Sequence, residues 1–305
     1  MMNAAELQAF LTDLRAACPG MDIRENEPLS RHCSFRIGGP CDAMLSPSSQ
    51  AEVEAAAAAL RRAGETPLLM GNGTNLLITD APLHRIAVRL GDAFARAETD
   101  GESITAQAGI TLAQLAVTAA RAGLAGLEFA HGIPGTLGGA VSMNAGAYGG
   151  EIKDVVKSVT YLDEDLVLRE TADGGFSYRH SRFSDTACVI LSARVGLGRD
   201  DPEAIRGRMR ELLERRRASQ PLELPSAGST FKRPEVGYAA ALIDQAGLKG
   251  FAVGGAQVSE KHAGFVVNRG GATFEDVIAL MEHIKETVLA RSGVLLEPEV
   301  KIIRE

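Results

Sequence analysis

GIPGTLGGAVSMNAGAYGG, residues 132–150, is the stretch whose reading decides the rest. Its nineteen residues hold seven glycines and no Asp, Glu, Lys or Arg. That composition is odd for a solvated loop and sensible for backbone that lies directly against something, because glycine permits close approach and φ > 0. Two readings meet it. One is a bound anionic ligand, whose oxygens take bare amides where a helix begins, here expected over residues 136–143. The other is a tight packing junction, since glycines mark turns as well as ligands.

A second glycine loop lies upstream, in PLLMGNGTNLLITD, residues 67–80. It predicts strand 68–70, the loop Gly71-Asn72-Gly73-Thr74-Asn75, then strand 76–79. It does not complete a dinucleotide fingerprint, because Leu76 stands where the third glycine belongs and a strand rather than a helix follows. An Asn-Gly hairpin turn is the plain alternative.

The elements around these loops alternate in type. Residues 4–17 carry helical periodicity in Leu7, Phe10, Leu11 and Leu14. Phe35 and Ile37 suggest a short strand that breaks at Gly38-Gly39-Pro40. Ser49-x-x-Glu52 predicts a capping box opening an alanine-rich helix that ends at Gly64. Strands follow at 85–90 and 102–109, then a helix from Thr111 to Arg121 stopped by Gly123. Beyond residue 150, strands are expected at 155–162, 166–170 and 188–195, with an aromatic and basic loop, FSYRHSRF, at 176–183. Asp201-Pro202 opens a helix to Arg217 whose arginines are mixed with acids, which predicts a solvated face. The Pro-rich segment 219–234 then leads to a helix at 238–246, strands at 256–258 and 264–267, a helix at 273–291, and a final strand in LEPEVKII. The fold class expected is α+β, with divisions at 1–80, 81–200 and 201–305.

Composition narrows the function. A chain of 305 residues, 45% hydrophobic and 23% charged, is globular and too long for one compact core. The net charge of -7 argues against a nucleic-acid binder. Cys18, Cys33, Cys41 and Cys188 form no C-x-x-C and have no histidine at metal-ligand spacing, so they read as reduced thiols of a cytoplasmic protein with no metal. No apolar run reaches the roughly 18 residues of a membrane span, and the N-terminus reads as an acidic helix rather than a secretory signal.

GNGTNLL, GIPGTLGGAVSMNAGAYGG, YRHSRF, PSAGSTFKRP, IDQAGLKG, KHAGFVVN and LEPEV occur in the order and spacing of one bacterial enzyme family. From about Ser34 to the C-terminus the chain resembles the UDP-N-acetylenolpyruvoylglucosamine reductases. The resemblance implies a vanillyl-alcohol oxidase (PCMH-type) FAD-binding fold of two α+β subdomains with a third, C-terminal α+β domain for substrate. It also implies noncovalent FAD, NADPH as hydride donor, and reduction of the enolpyruvyl ether of UDP-N-acetylenolpyruvoylglucosamine, with no nucleic acid, no membrane insertion and no obligate protein partner. The chain lacks the tyrosine-bearing insertion that longer members place after this loop, and so resembles the shorter subtype. Arg233 stands where some members have asparagine.

Residue by residue, the resemblance assigns Gly71, Asn72, Gly73, Thr74 and Asn75 to the FAD pyrophosphate. Gly135, Thr136, Gly138, Gly139, Asn144, Gly146, Ala147 and Tyr148 would lie along the rest of the cofactor. Arg179 would clamp the substrate carboxylate, where a planar guanidinium suits the charge that develops. Ser229 would donate the proton to C2 and Glu299 would support it, while Glu297 would be structural. Tyr178, Lys232, Lys249, His262 and Asn268 would contact the nucleotide sugar. Without the resemblance, Arg179 is a surface arginine, Ser229 a capping serine and Glu299 an edge-strand acid. Two rival functions share the glycine loops: an FAD-dependent sugar or hydroxy-acid oxidase, and a non-catalytic scaffold.

Overall fold

A computed structural model describes residues 2–304. The chain divides into two compact units, neither of them a continuous run: residues 1–26, 42–72 and 84–214 form the first, residues 27–41, 73–83 and 215–305 the second. The finer division expected at residues 80 and 200 is a proposal about subdomains within this arrangement.

The first unit has two apolar cores. In the smaller, helix Ala4–Ala17 lays Leu11 and Leu14 against Ala56 and Ala59 of helix Gln50–Arg62. The small alanine side chains let the two helices approach. Ser49 caps the second helix by accepting from the Glu52 amide, but the expected box is only half closed: Glu52 turns back to the amide and hydroxyl of Ser48 instead. Beside these helices runs a four-stranded sheet in the order Asp22–Pro28, Pro40–Ser46, Leu83–Arg89, Leu68–Met70.

The larger core sits on a five-stranded antiparallel sheet in the order Leu168–Thr171, Val156–Leu162, Val189–Gly196, Ser103–Gln107, Ala97–Asp100. Alternation supplies its buried face: Ile104, Ala106, Val159, Ala193 and Val195 are almost wholly buried. Leu115, Ala116 and Ala119 of helix Leu112–Arg121 and Leu137 and Val141 of helix Leu137–Ser142 share that core. Thr111 closes a full capping box with Gln114, and Gly123 follows the helix in the left-handed conformation. On helix Pro202–Ser219, expected to present a solvated face, Arg206 pairs with Glu203 and Arg208 with Glu128 and Asp200, but Arg216 is buried.

The second unit has one core, built on helices Ala239–Gln245 and Phe274–Ser292 and a three-stranded antiparallel sheet, Ala252–Val253, Ala256–Val258, Val266–Asn268. The last strand, Lys301–Ile303, pairs in parallel with Leu76–Ile78. Phe35 and Ile37, expected in a strand, are in none. They are buried in this core on an irregular segment, where Arg36 has φ of 58° and so breaks the extended backbone a strand needs. The loop at 71–75 is not a hairpin either: Leu68–Met70 pairs with Leu83–Arg89 and Leu76–Ile78 with Lys301–Ile303, so its flanking strands belong to different sheets.

Candidate active site

The glycine stretch at 132–150 folds as three devices. Thr136 starts the short helix Leu137–Ser142, but two of its first amides are already engaged: Leu137 N–H donates to the Ile110 carbonyl and Gly138 N–H to that of Ala108, each at 2.8 Å. Fewer bare amides are left than the sequence suggests. Gly138 is a packing glycine, because a Cβ there would stand 2.9 Å from the Ala108 Cβ. Gly139 is exposed, and a Cβ on it would meet nothing nearer than Thr136 Oγ1 at 3.8 Å. The packing reading therefore holds at Gly138, while Gly139 is left open.

The second device is Asn144. It is fully buried, with φ of 45°, and its side chain is engaged within the protein. Its amide nitrogen donates to Glu151 Oε2 at 3.0 Å and to the Ser177 carbonyl at 2.9 Å, and its oxygen accepts from the Lys153 amide at 3.1 Å. Lys153, followed by Asn144 and Arg179, holds the Glu151 carboxyl below the usual carboxylate range. The third device is a hairpin in which Gly146–Ala147 pairs with Gly150–Glu151 around Tyr148 and Gly149. Both turn residues have φ > 0, as a type I′ turn requires, and this leaves Tyr148 exposed at the tip.

The two glycine loops, far apart in sequence, meet in the first unit. A Cβ on Gly71 would lie 2.2 Å from Thr136 Oγ1, so the loop backbone passes directly against the cap of the short helix, and Gly135 accepts from the Leu112 amide alongside. Asn72 Oδ1 accepts from Arg89 Nη2 at 3.1 Å. Arg89 carried no signal in the sequence, being one arginine at the end of an ordinary strand. Gly73, in the second unit, has φ of 56°, and a Cβ there would stand 2.6 Å from the His32 carbonyl oxygen. Thr74 leads on to Asn75, which donates to the Glu299 carbonyl at 3.1 Å and accepts from the Lys301 amide.

Arg179 belongs to the first unit. Ser177 and His180 exchange backbone hydrogen bonds across a tight turn, and Arg179, its third residue, has φ of 55°. Such a position favours Gly or Asn, so an arginine there is held against its own preference. Two clamps hold it. Asn144 takes the Ser177 carbonyl, and the Ser181 and Ser184 hydroxyls both donate to the Ser142 carbonyl, at 2.7 and 2.6 Å. The guanidinium lies 5.0 Å from the ring centroid of Tyr178, which is exposed, and 3.5 Å from the Gly146 carbonyl.

In the second unit, segment 229–232 runs antiparallel to 297–299. Glu299 N–H donates to the Thr230 carbonyl and Lys232 N–H to that of Glu297, each at 2.8 Å, with Phe231 bridged to Pro298. Thr230 is buried, its hydroxyl accepting from the Val266 amide, while Ser229 beside it is exposed after Gly228 at φ of 80°. Glu297 pairs with Lys232 at 3.4 Å. Lys249 pairs with Asp244 at 2.7 Å on the surface. His262 is held below the ordinary histidine value by burial, its Nδ1 accepting from the Gly264 amide. Asn268 is buried, donating to the Phe35 carbonyl and accepting from the Gly270 and Ala272 amides, so its side chain organises a loop.

Residues 41–170 match an FAD binding domain, and residues 220–303 match the UDP-N-acetylenolpyruvoylglucosamine reductase C-terminal domain. A UDP-N-acetylenolpyruvoylglucosamine reductase of Caldanaerobacter subterraneus subsp. tengcongensis is 47% identical over 92% of this chain and 93% of its own. One from Agathobacter rectalis is 44% identical over 98% and 99%. Among solved structures, the UDP-N-acetylenolpyruvylglucosamine reductase of Thermus caldophilus matches with a TM-score of 0.80 at 33% identity, covering 93% of this chain and 99% of that one.

Proposed function

Because the chain belongs to the UDP-N-acetylenolpyruvoylglucosamine reductase family, whose members are FAD-dependent oxidoreductases, we propose that it reduces UDP-N-acetylenolpyruvoylglucosamine to UDP-N-acetylmuramate with NADPH. The setting is peptidoglycan precursor synthesis in the cytoplasm. FAD fits the residues present: Gly71 lies against Thr136, Gly139 is open to an incoming group, and neither loop carries a carboxylate. Gly71 to Asn75 and the backbone at Gly135 and Gly139 would hold it without a covalent bond, with Tyr148 at the hairpin tip. When bound, FAD would supply the redox chemistry, the relay of hydride from NADPH to the enolpyruvyl carbon.

The chain's own residues supply the rest. Negative charge develops at C2 and the adjoining carboxylate, and a planar guanidinium fixed by its turn is suited to clamp that carboxylate. Arg179 has this form. Carbon C2 then needs one proton, which Ser229 supplies from its exposed hydroxyl. A serine is a weak acid in water, so its donation needs support, the role proposed for Glu299 and the groups around it. The observation that carries this reading is the backbone pairing of 230–232 with 297–299, which sets Glu299 opposite Thr230, the residue next to Ser229. Lys232, Lys249 and His262 remain proposed contacts of the nucleotide sugar.

The test is direct. Purified protein should be yellow and should oxidise NADPH only when the enolpyruvyl sugar nucleotide is added, with little oxygen consumed. Oxygen-driven turnover without that substrate would make it an oxidase, and colourless protein that takes up no FAD would make it a scaffold.

A further inference from the structure

Among the described residues, Arg89 is a cation whose side chain has an amide as its only hydrogen-bond partner. It ends strand Leu83–Arg89, in register with Met70, the residue before Gly71. Its guanidinium lies over Gly91, where a Cβ would meet Cζ, Nη2 and Nη1 at 2.8, 2.9 and 3.0 Å. Nη2 donates to Asn72 Oδ1, and Nε is buried with no acceptor. Among the described residues no carboxylate forms an ion pair with it, although acids outnumber basic residues in this chain, 39 to 32. Arg208, by contrast, has two acids within 2.7 Å. Arg89 is half-buried, a charge partly withdrawn from water without a counter-charge is costly, and a buried donor left without an acceptor calls for a missing one.

That missing partner must be anionic and must reach the Gly71-Asn72 backbone where it passes Thr136. We propose that Arg89 binds the diphosphate of FAD, supplying the positive charge that the two glycine loops lack. The assignment rests on the FAD reading above and goes beyond it, because the loops offer only neutral donors. A guanidinium engages phosphate oxygens through parallel N–H donors, and here Asn72 and the flat surface of Gly91 already orient it. Gly91 is part of the device, since any side chain there would push the guanidinium aside.

The test is binding by the flavin-stripped full chain, read by flavin fluorescence. Arg89→Gln should weaken FAD by about 10- to 100-fold, leave riboflavin, which has no phosphate, unchanged, and flatten the salt dependence of FAD affinity. Gly91→Ala, which keeps the charge but displaces it, should weaken FAD in the same direction. In the unmutated protein, FAD should protect Arg89 from phenylglyoxal, read by peptide mass spectrometry, and riboflavin should not. Equal FAD affinity in Arg89→Gln, or equal loss of FAD and riboflavin, would overturn the assignment and leave Arg89 a support for Asn72. Should the variants not fold, undiminished labelling of Arg89 under saturating FAD overturns it by itself. If the unmutated protein binds no flavin, the FAD reading fails instead.

Discussion

Glu299 N–H donates to the Thr230 carbonyl at 2.8 Å, and this bond sets the acid one residue across from Ser229. With Ser229 as proton donor, only the half of the reaction that protonates C2 depends on it. Ser229→Ala should lose flavin colour on NADPH at the normal rate and regain it on substrate about 10²- to 10⁴-fold more slowly, the usual contribution of general acid catalysis. Glu299→Gln should slow the same half. Stopped-flow absorbance follows both on one protein; slow bleaching with normal recovery of colour would refute the serine's role.

Arg179 occupies a turn position that suits glycine. Arg179→Gly should therefore leave the melting temperature unchanged or raised, while abolishing the return of colour on substrate. Arg179→Lys keeps the charge but not the fork, and should slow that step. A marked loss of stability in Arg179→Gly would show that the side chain serves the fold.

Gly138 and Gly139 separate packing from cofactor. Gly138→Val should unfold the first unit or lower its stability by about 1–3 kcal/mol through overpacking on Ala108. Gly139→Val, with open space around it, should keep most of the stability and lose FAD. Thermal melts of the flavin-free variants beside FAD titrations distinguish them; Gly139→Val with full flavin content would remove that face from the cofactor site.

His262 and His131 are both held below the ordinary histidine value by burial. The unfolded chain then binds more protons than the folded one as the pH falls. Their contribution is complete above the unfolded value of about 6.5 and declines as the pH drops through it. His262→Gln should flatten the fall in melting temperature between pH 7 and 5. An unchanged slope would show that other groups control acid stability.

Much was legible in one dimension because it is local. Helix Ala4–Ala17, the helix that begins at Thr111, the strand alternation around Ile104 and the glycine stops obey spacing rules that need no distant partner. The motif order identified the family for the same reason, since it is a property of the string. Phe35 and Ile37 defeated the spacing rule because burial alternates there on irregular backbone, and periodicity cannot tell that from a strand.

Tertiary structure decided where hydrogen-bonding capacity was left over. Nothing in the string says that the Leu137 and Gly138 amides are taken by neighbouring carbonyls, that Asn144 and Asn268 turn their amides inward, or that Arg89 arrives beside Asn72 with no acid to meet it. Sequence alone determined which residue types this chain has and which local backbone they favour. Which of those groups face a ligand depends on partners brought together over 17 residues from Asn72 to Arg89, 33 from Asn144 to Ser177 and 224 from Asn75 to Glu299, and only the folded chain pairs them.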